Sequence, residues 1–300
     1  MKTPIFTGAG VAIITPMNSD FSINYAALGQ LIDSQIAGGT DAIVICGTTG
    51  ESAAMSTQEH TRAVAFAVEH TAGRVPVVAG AGSNNTACAK QLSKEAKAAG
   101  ANALLHVTPY YNKTSQAGLV RHFSEIADTT DLPVILYNVP SRTGVNISPE
   151  TCLQLSKHPN IAAIKEASGN ISQVAKIAQL CGDNLAIYSG NDDQIVPLLS
   201  VGGKGVISVL SNIAPRETHD IVAKFMEGDV AGSRELQLKA LPLIESLFCE
   251  VNPIPVKEAL NMLGWEAGPL RMPLTPMEEE HKEKLRQAMK DFGIKAKGEN

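Results

Sequence analysis

A (β/α)8 barrel of the TIM type, an α/β fold, is what the sequence predicts, with a small helical extension at its C-terminal end. Two observations lead there. Eight short apolar runs rich in Val and Ile recur along roughly the first 225 residues, and most lack polar alternation, as expected of parallel strands covered on both faces. Longer, Ala-rich segments with helical spacing separate them, so strand and helix alternate. A third observation argues against an open doubly wound sheet: no G-x-G-x-x-G follows the first run, and the "GAG" at 8–10 precedes it.

The runs are "VAIIT" (11–15), "AIVIC" (42–46), "VPVVAG" (75–80), "ALLHV" (103–107), "PVILYN" (133–138), "IAAIK" (161–165), "LAIYSG" (185–190) and "GVISV" (205–209). Between the first two, "NYAALGQLIDSQIAGG" spaces apolar residues at three and four and ends in a Gly pair that suits a C-cap. The segment opening at Ser56 has Glu59 three residues on and closes at Gly73, a capping-box start followed by a helical period. "NTACAKQLSKEAKAAG" and "SPETCLQLSKHP" repeat the theme. After about residue 225 the strand signal stops and three helical segments follow, so residues 1–225 are expected to form the catalytic barrel and 226–300 a C-terminal helical domain. The polar tail "IKAKGEN" is expected to fray.

The bulk numbers narrow the function classes. A net charge of −5 offers no basic field for nucleic acid. The N-terminus has no sustained apolar stretch with a small-residue cleavage pattern, and no run reaches the ~18 apolar residues of a membrane span. The five cysteines (Cys46, Cys88, Cys152, Cys181, Cys249) are scattered and form no C-x-x-C pair, so each is expected to be a small buried hydrophobe. A soluble, cytoplasmic enzyme acting on small molecules fits best.

In a (β/α)8 barrel the chemistry sits where the strands end. Those ends read Thr15-Pro16, "CGTTGES" (46–52), "AGAGSNN" (79–85), "TPYYNK" (108–113), "YNVPSRTG" (137–144), "KEASGN" (165–170), "SGNDD" (189–193) and "SVLSN" (208–212). They bring one lysine, three tyrosines, vicinal threonines and one arginine to the rim, without paired histidines or an evident set of metal ligands. Lys165 ends an apolar run, and a lysine in a partly desolvated pocket is a good nucleophile toward carbonyls. A tyrosine and a threonine can pass the proton. Thr48 and Thr49 offer hydroxyls and N–H groups to a carboxylate, and Arg142 can fork onto a second one.

Taken singly, each has a structural explanation. Lys165 can snorkel to water, Tyr110 and Tyr111 can be interface aromatics, "GTTGES" can be a turn with a helix cap, and Arg142 can be a solvated loop charge. Lys204 is a rival lysine, but this register puts it on the opposite rim. His106 has no visible acid or metal partner and is expected to be packed or hydrogen-bonded. Glu166, adjacent to Lys165 on an extended strand, points to the other face.

"GTTGES" (47–52), "TPYYNKTSQAGL" (108–119), "YNVPSRTG" (137–144), "IKEASGN" (164–170), "GVISV" (205–209) and "NPIPVKEAL" (252–260) together resemble the 4-hydroxy-tetrahydrodipicolinate synthase (dihydrodipicolinate synthase) family, from about residue 5 to residue 290. The resemblance implies condensation of pyruvate with aspartate-4-semialdehyde, on the route to diaminopimelate and lysine, through a Schiff base with no metal or other cofactor. By resemblance Lys165 forms the Schiff base and Tyr137 relays protons. Thr48 and Tyr111 complete the relay, the latter lent by a neighbouring subunit. Thr49 holds the pyruvate carboxylate, Arg142 the semialdehyde carboxylate, and Gly190 and Ile207 line the pocket. The family's usual assembly is a homotetramer made of two tight dimers.

The resemblance also places an inhibitory lysine site at Ser52, Ala53, Thr57, His60, Asn84, Cys88 and Tyr110. Thr57 stands where lysine-sensitive members have histidine, and Cys88 where they have glutamate, so the site is expected to be weakened unless another acid such as Glu59 substitutes. Sugar-acid aldolases of the N-acetylneuraminate lyase type share the lysine and tyrosine. Arg142 argues against that alternative, because it fits a second substrate carrying its own carboxylate. A non-catalytic barrel would be free to lose one of Lys165, Tyr137, Thr48 and Tyr111.

Overall fold

In a computed structural model that describes residues 2–294 and 296–298, eight parallel strands close in chain order into a barrel, β8 pairing back onto β1. They are β1 Gly8–Ala12, β2 Ala42–Ile45, β3 Val77–Gly80, β4 Ala103–Val107, β5 Val134–Asn138, β6 Ile161–Glu166, β7 Ala186–Ser189 and β8 Gly205–Ser208. The helices around them are α1 Tyr25–Ala37, α2 Thr57–Thr71, α3 Thr86–Ala98, α4 Gln116–Ala127, the single turn α5 Pro140–Thr143, α6 Pro149–Leu155, α7 Ile171–Cys181, α8 Ile195–Ser200 and α9 Pro215–Met226. Then come α10 Val230–Leu247, α11 Ile254–Met262 and α12 Glu279–Phe292. The expected (β/α)8 barrel with a helical C-terminal part is therefore what the chain forms.

Alternate residues of each strand go to two cores. Val134, Leu136 and Ile164 face outward into the layer beneath the helices, while Ile135, Tyr137, Ala163 and Ile207 fill the barrel interior. Both faces are dry, which explains why the runs read as continuous apolar sequence. The α2 start follows its sequence signal: Glu59 N–H donates to Ser56 Oγ at 3.3 Å, and the Ser56 amide donates to Glu59 Oε2 at 2.9 Å.

The first strand differs from expectation. It is Gly8–Ala12, three residues before the run at 11–15, so Thr15 lies beyond the strand end. Glycine carries no apolar or β-forming signal, yet close packing requires it here. A Cβ on Gly10 would sit 2.9 Å from the Phe6 ring, and Gly8, at φ +124°, faces the Asp41 carboxylate. Two cysteines also depart: Cys46, Cys152 and Cys181 are buried, but Cys88 and Cys249 are exposed. In the C-terminal tail, residues 295, 299 and 300 lie outside the described residues. Within them the Lys297 amide donates to Met262 O at 2.9 Å, so the chain folds back on α11 there instead of fraying.

Candidate active site

Lys165 reaches the barrel interior through an irregularity in β6. Val134 pairs with Ile161 but Ile135 pairs with Ala163, so Ala162 is an extra residue that resets which side chains face inward. Lys165 then stands beside Tyr137 on β5 and Tyr188 on β7. Its side chain is 6% exposed, and the amine lies 4.5 Å from the centroid of the Tyr137 ring. Burial pulls the ammonium down to about 8; Asp192 works against that and Arg142 adds to it. At pH 7 about a tenth of the amine is thus uncharged, several hundred times the share of an ordinary lysine, as a nucleophile toward a carbonyl requires. Burial pushes the Tyr137 hydroxyl up to about 12, so it keeps its proton at neutral pH.

Gly190, just past β7, makes room for the amine's stem: a Cβ there would lie 3.1 Å from Lys165 Cε and 2.7 Å from Ala167 Cβ. Ile207 of β8 lies buried in the same interior cluster as Tyr137 and Tyr188. Glu166 points the other way, as expected. Its Oε1 accepts from the Ser168 amide at 2.7 Å, and its Oε2 from Asn138 Nδ2 at 2.9 Å and Gln173 Nε2 at 3.3 Å. It ties the ends of β5 and β6 to α7 behind the site.

The threonine pair lies in the loop after β2, bracketed by two residues with left-handed backbone, Cys46 at φ +56° and Glu51 at φ +56°. Thr48 is exposed and Thr49 buried. Thr49 Oγ1 accepts from Asn252 Nδ2 at 2.9 Å, and Arg142 Nη2 donates to Asn252 O at 3.3 Å. Asn252 precedes α11, so the C-terminal part supplies the bridge between Thr49 and Arg142. Glu51, fully buried, is held by Lys257 Nζ at 2.8 Å and by the Arg271 amide at 2.9 Å. Asn252, Glu51 and Lys257 were given no role in the sequence reading, although "GTTGES" contains Glu51 and "NPIPVKEAL" contains Asn252 and Lys257.

A cavity of about 430 Å³ opens above these strands, lined by Thr48, Tyr137 and Arg142 and, continuously with them, by Ser52, Ala53, Thr57, His60, Cys88 and Tyr110. The remaining residue of the second group, Asn84, donates to Tyr110 O at 3.2 Å. His60 Nε2 lies 2.7 Å from Gly80 O, and burial lowers its pKa. Glu59 is not free to replace a missing acid. Its carboxylate is bound by the Arg271 guanidinium, which, with Ser56, holds its pKa down to about 2. Tyr111 is 91% exposed, away from this closed environment in a single chain.

The model of the dihydrodipicolinate synthetase family matches residues 5–292. The chain belongs to this family. It is 60% identical over 294 residues to the 4-hydroxy-tetrahydrodipicolinate synthase of Caldicellulosiruptor saccharolyticus, covering 98% of this chain and 99% of that one. It is 61% identical over 291 residues to the enzyme of that name from Lachnoclostridium phytofermentans, covering 97% and 99%. The crystal structure of dihydrodipicolinate synthase from Aquifex aeolicus superposes with a TM-score of 0.95 at 42% identity, covering 98% and 100%.

His106 is fully buried and lies 3.2 Å from Ser93 Oγ through Nε2, a packed, hydrogen-bonded histidine as expected. Lys204 precedes β8, at the barrel end away from the strand termini that carry Lys165. Among the described residues no group of three His, Cys, Asp or Glu is arranged to hold a metal ion, and no helix is long and apolar enough to cross a membrane.

Proposed function

We propose that the chain condenses pyruvate with aspartate-4-semialdehyde to 4-hydroxy-tetrahydrodipicolinate, serving lysine and diaminopimelate biosynthesis. The carrying observation is the partly neutral, buried amine of Lys165 against the Tyr137 ring, with Tyr137 and Arg142 together on the wall of one cavity. In this reading Lys165 attacks the pyruvate ketone. Amine, ketone and one proton give a protonated imine and water. Loss of a proton from the pyruvyl methyl then makes the enamine that attacks the aldehyde. Tyr137, Thr48 and the Tyr111 of a neighbouring subunit carry the protons. Thr49 holds the pyruvate carboxylate, Arg142 the semialdehyde carboxylate, and Gly190 and Ile207 shape the pyruvate pocket.

The chemistry needs no metal or organic cofactor, because the imine itself is the electron sink. Residues 1–225 are the catalytic barrel in this reading and 226–300 the helical domain. The assembly is a homotetramer in the cytoplasm, and neither nucleic acid nor membrane is a partner. The Ser52, Ala53, Thr57, His60, Asn84, Cys88 and Tyr110 group is a weakened lysine site. A lysine ammonium facing the Cys88 thiol lacks a counter-charge, a loss of about 2–5 kcal/mol. Half-inhibition by lysine is therefore expected only above about 1 mM, an affinity near −4 kcal/mol, in a titration of turnover; half-inhibition well below that would contradict the weakened site.

A coupled assay decides the substrate. Turnover with pyruvate and aspartate-4-semialdehyde, and no cleavage of N-acetylneuraminate, is expected. The reverse would assign a sugar-acid aldolase, which the names of the two relatives do not favour.

A further inference from the structure

The Thr49 hydroxyl is held from one side only. Thr48 and Thr49 are the central pair of a turn that the Gly50 amide closes by donating to Gly47 O at 3.1 Å. Thr49 is buried, and its Oγ1 accepts from Asn252 Nδ2 at 2.9 Å, its single hydrogen bond among the described residues. A hydroxyl has one proton to give and two lone pairs to receive. The amide occupies a lone pair, so the proton turns elsewhere. The polar groups around it do not compete for that proton. Glu51, two residues on, has one carboxylate oxygen on Lys257 Nζ and the other on the Arg271 amide. The Gly50 carbonyl already accepts from Thr15 Oγ1 at 2.7 Å.

Asn252 is an odd residue to find there on grounds of stability. Its side chain is buried, yet Oδ1 has no hydrogen-bond partner among the described residues. A buried amide with one end unpaired is costly, and a leucine of nearly the same shape would avoid that oxygen. A need for an N–H aimed at Thr49 accounts for the asparagine. The other contact of this residue is made by its backbone: Arg142 Nη2 donates to Asn252 O at 3.3 Å. Any side chain at position 252 keeps that carbonyl, so side chain and backbone serve two different partners.

We propose that Asn252 is a positioning residue for the first substrate: by donating to Thr49 Oγ1 it leaves the Thr49 proton as the only thing the hydroxyl can offer, and so presents an O–H to the pyruvate carboxylate. The inference rests on the reading that Thr49 holds that carboxylate. A carboxylate only accepts, so a hydroxyl showing it a lone pair repels it, whereas one already turned to donate binds it with a charge-assisted bond and no reorganisation. The C-terminal part of the chain thereby sets how well the barrel holds pyruvate, while the semialdehyde depends on the Arg142 contact with the backbone.

The test is Asn252→Leu, which keeps the volume and removes the donor without adding charge. Half-saturation with pyruvate is read from borohydride trapping, and KM for the semialdehyde from turnover at saturating pyruvate. In the variant half-saturation with pyruvate should rise about tenfold, the size of one hydrogen bond to a charged group, while KM for the semialdehyde stays within about twofold. The melting temperature should stay near native, because one unpaired buried oxygen is exchanged for another. Unchanged or tighter pyruvate binding would mean that Thr49 donates to the asparagine, and overturns the proposal. A lower melting temperature with both substrates weakened alike would be a merely structural role, and overturns it too. Thr49→Val separates the proposal from the reading beneath it. If that variant binds pyruvate as the native enzyme does, Thr49 does not hold the carboxylate and both fall together. If it binds pyruvate weakly, the reading stands and Asn252→Leu alone judges the proposal; adding Asn252→Leu to Thr49→Val should then cost nothing further. Should Asn252→Leu not fold, Asn252→Ala takes its place with the same expected shift in pyruvate. Failure of both to fold would assign the amide to the fold and overturn the proposal.

Discussion

In the proposed chemistry Lys165 owes its reactivity to where β6 ends and what surrounds that end. Inside the barrel the Tyr137 and Tyr188 rings flank it, and Gly190, where a Cβ would lie 3.1 Å from Lys165 Cε, leaves room for its stem. Arg142 works differently: it is exposed on the single turn α5, anchored through Asn252 O at 3.3 Å, and free to reach a ligand. Arg142→Ala should therefore leave the imine with pyruvate intact and impair use of the semialdehyde. The loss of a forked, charge-assisted contact is on the order of 2–4 kcal/mol in transition-state binding. Comparison of kcat/KM for the semialdehyde with pyruvate trapping checks this, and unchanged semialdehyde kinetics would remove Arg142 from the site. Lys165, Tyr137 and Arg142 were legible in the sequence because each departs from its context: an amine closing an apolar run, a phenol inside a strand, a guanidinium after a proline. Asn252 was not, because an asparagine before a proline reads as a turn and nothing local says that it reaches Thr49 from more than 200 residues away.

At the scale of elements, the loop after β2 is held in an uncomfortable shape from outside. Two non-glycine residues, Cys46 and Glu51, adopt left-handed backbone, a conformation of order 1–3 kcal/mol each that persists only when the surroundings enforce it. Glu51 is enforced by Lys257 of α11, whose ammonium also donates to Pro269 O at 2.6 Å and Thr15 O at 3.3 Å. The C-terminal helices thereby position Thr48 and Thr49. Lys257→Met should leave a buried, uncompensated carboxylate and lower stability by about 3–5 kcal/mol in denaturant unfolding. Glu51→Gln in the same chain should restore part of it. A Lys257→Met variant within about 0.5 kcal/mol of native would show that the pair carries no such load. Strand and helix boundaries were legible where apolar runs coincide with strands, as at β4, and illegible at β1, where glycines chosen for the approach of Phe6 and Asp41 carry no apolar signal. The bulge at Ala162 was equally silent, since an extra alanine in an apolar run changes facing but not composition.

For the whole molecule, one chain is incomplete in the proposed chemistry. Tyr111 is almost fully exposed at φ +69°, in a loop whose neighbours Tyr110 and Asn112 are tied to Asn84. An exposed aromatic of this size, next in sequence to the cavity-lining Tyr110, is what a subunit would lend to its neighbour. Subunits carrying Lys165→Ala, mixed with subunits carrying Tyr111→Phe, should regain activity in a two-fold dimer. Each hybrid pairs one intact lysine with one intact tyrosine, giving up to about a quarter of native turnover. No recovery on mixing, with both variants folded and assembled, would confine the site to one chain. The barrel itself supplies rigidity for this exchange. Its lower end is closed by Phe6 stacked on Tyr188 at 4.3 Å, and by the Lys2 ammonium, which donates to the carbonyls of Ser156, His158 and Ile161 at 2.6–2.7 Å.

The whole reading turns on one covalent bond, between Lys165 and pyruvate. The direct measurement is reduction of the protein with borohydride in the presence of pyruvate, followed by peptide mass mapping across a pH series. The adduct should fall on Lys165 alone, be absent without pyruvate, and form at a rate that climbs with pH through a midpoint near pH 8 and levels off about a unit above it, as the amine loses its proton. No adduct, or one on another lysine such as Lys204 or Lys257, would contradict the account.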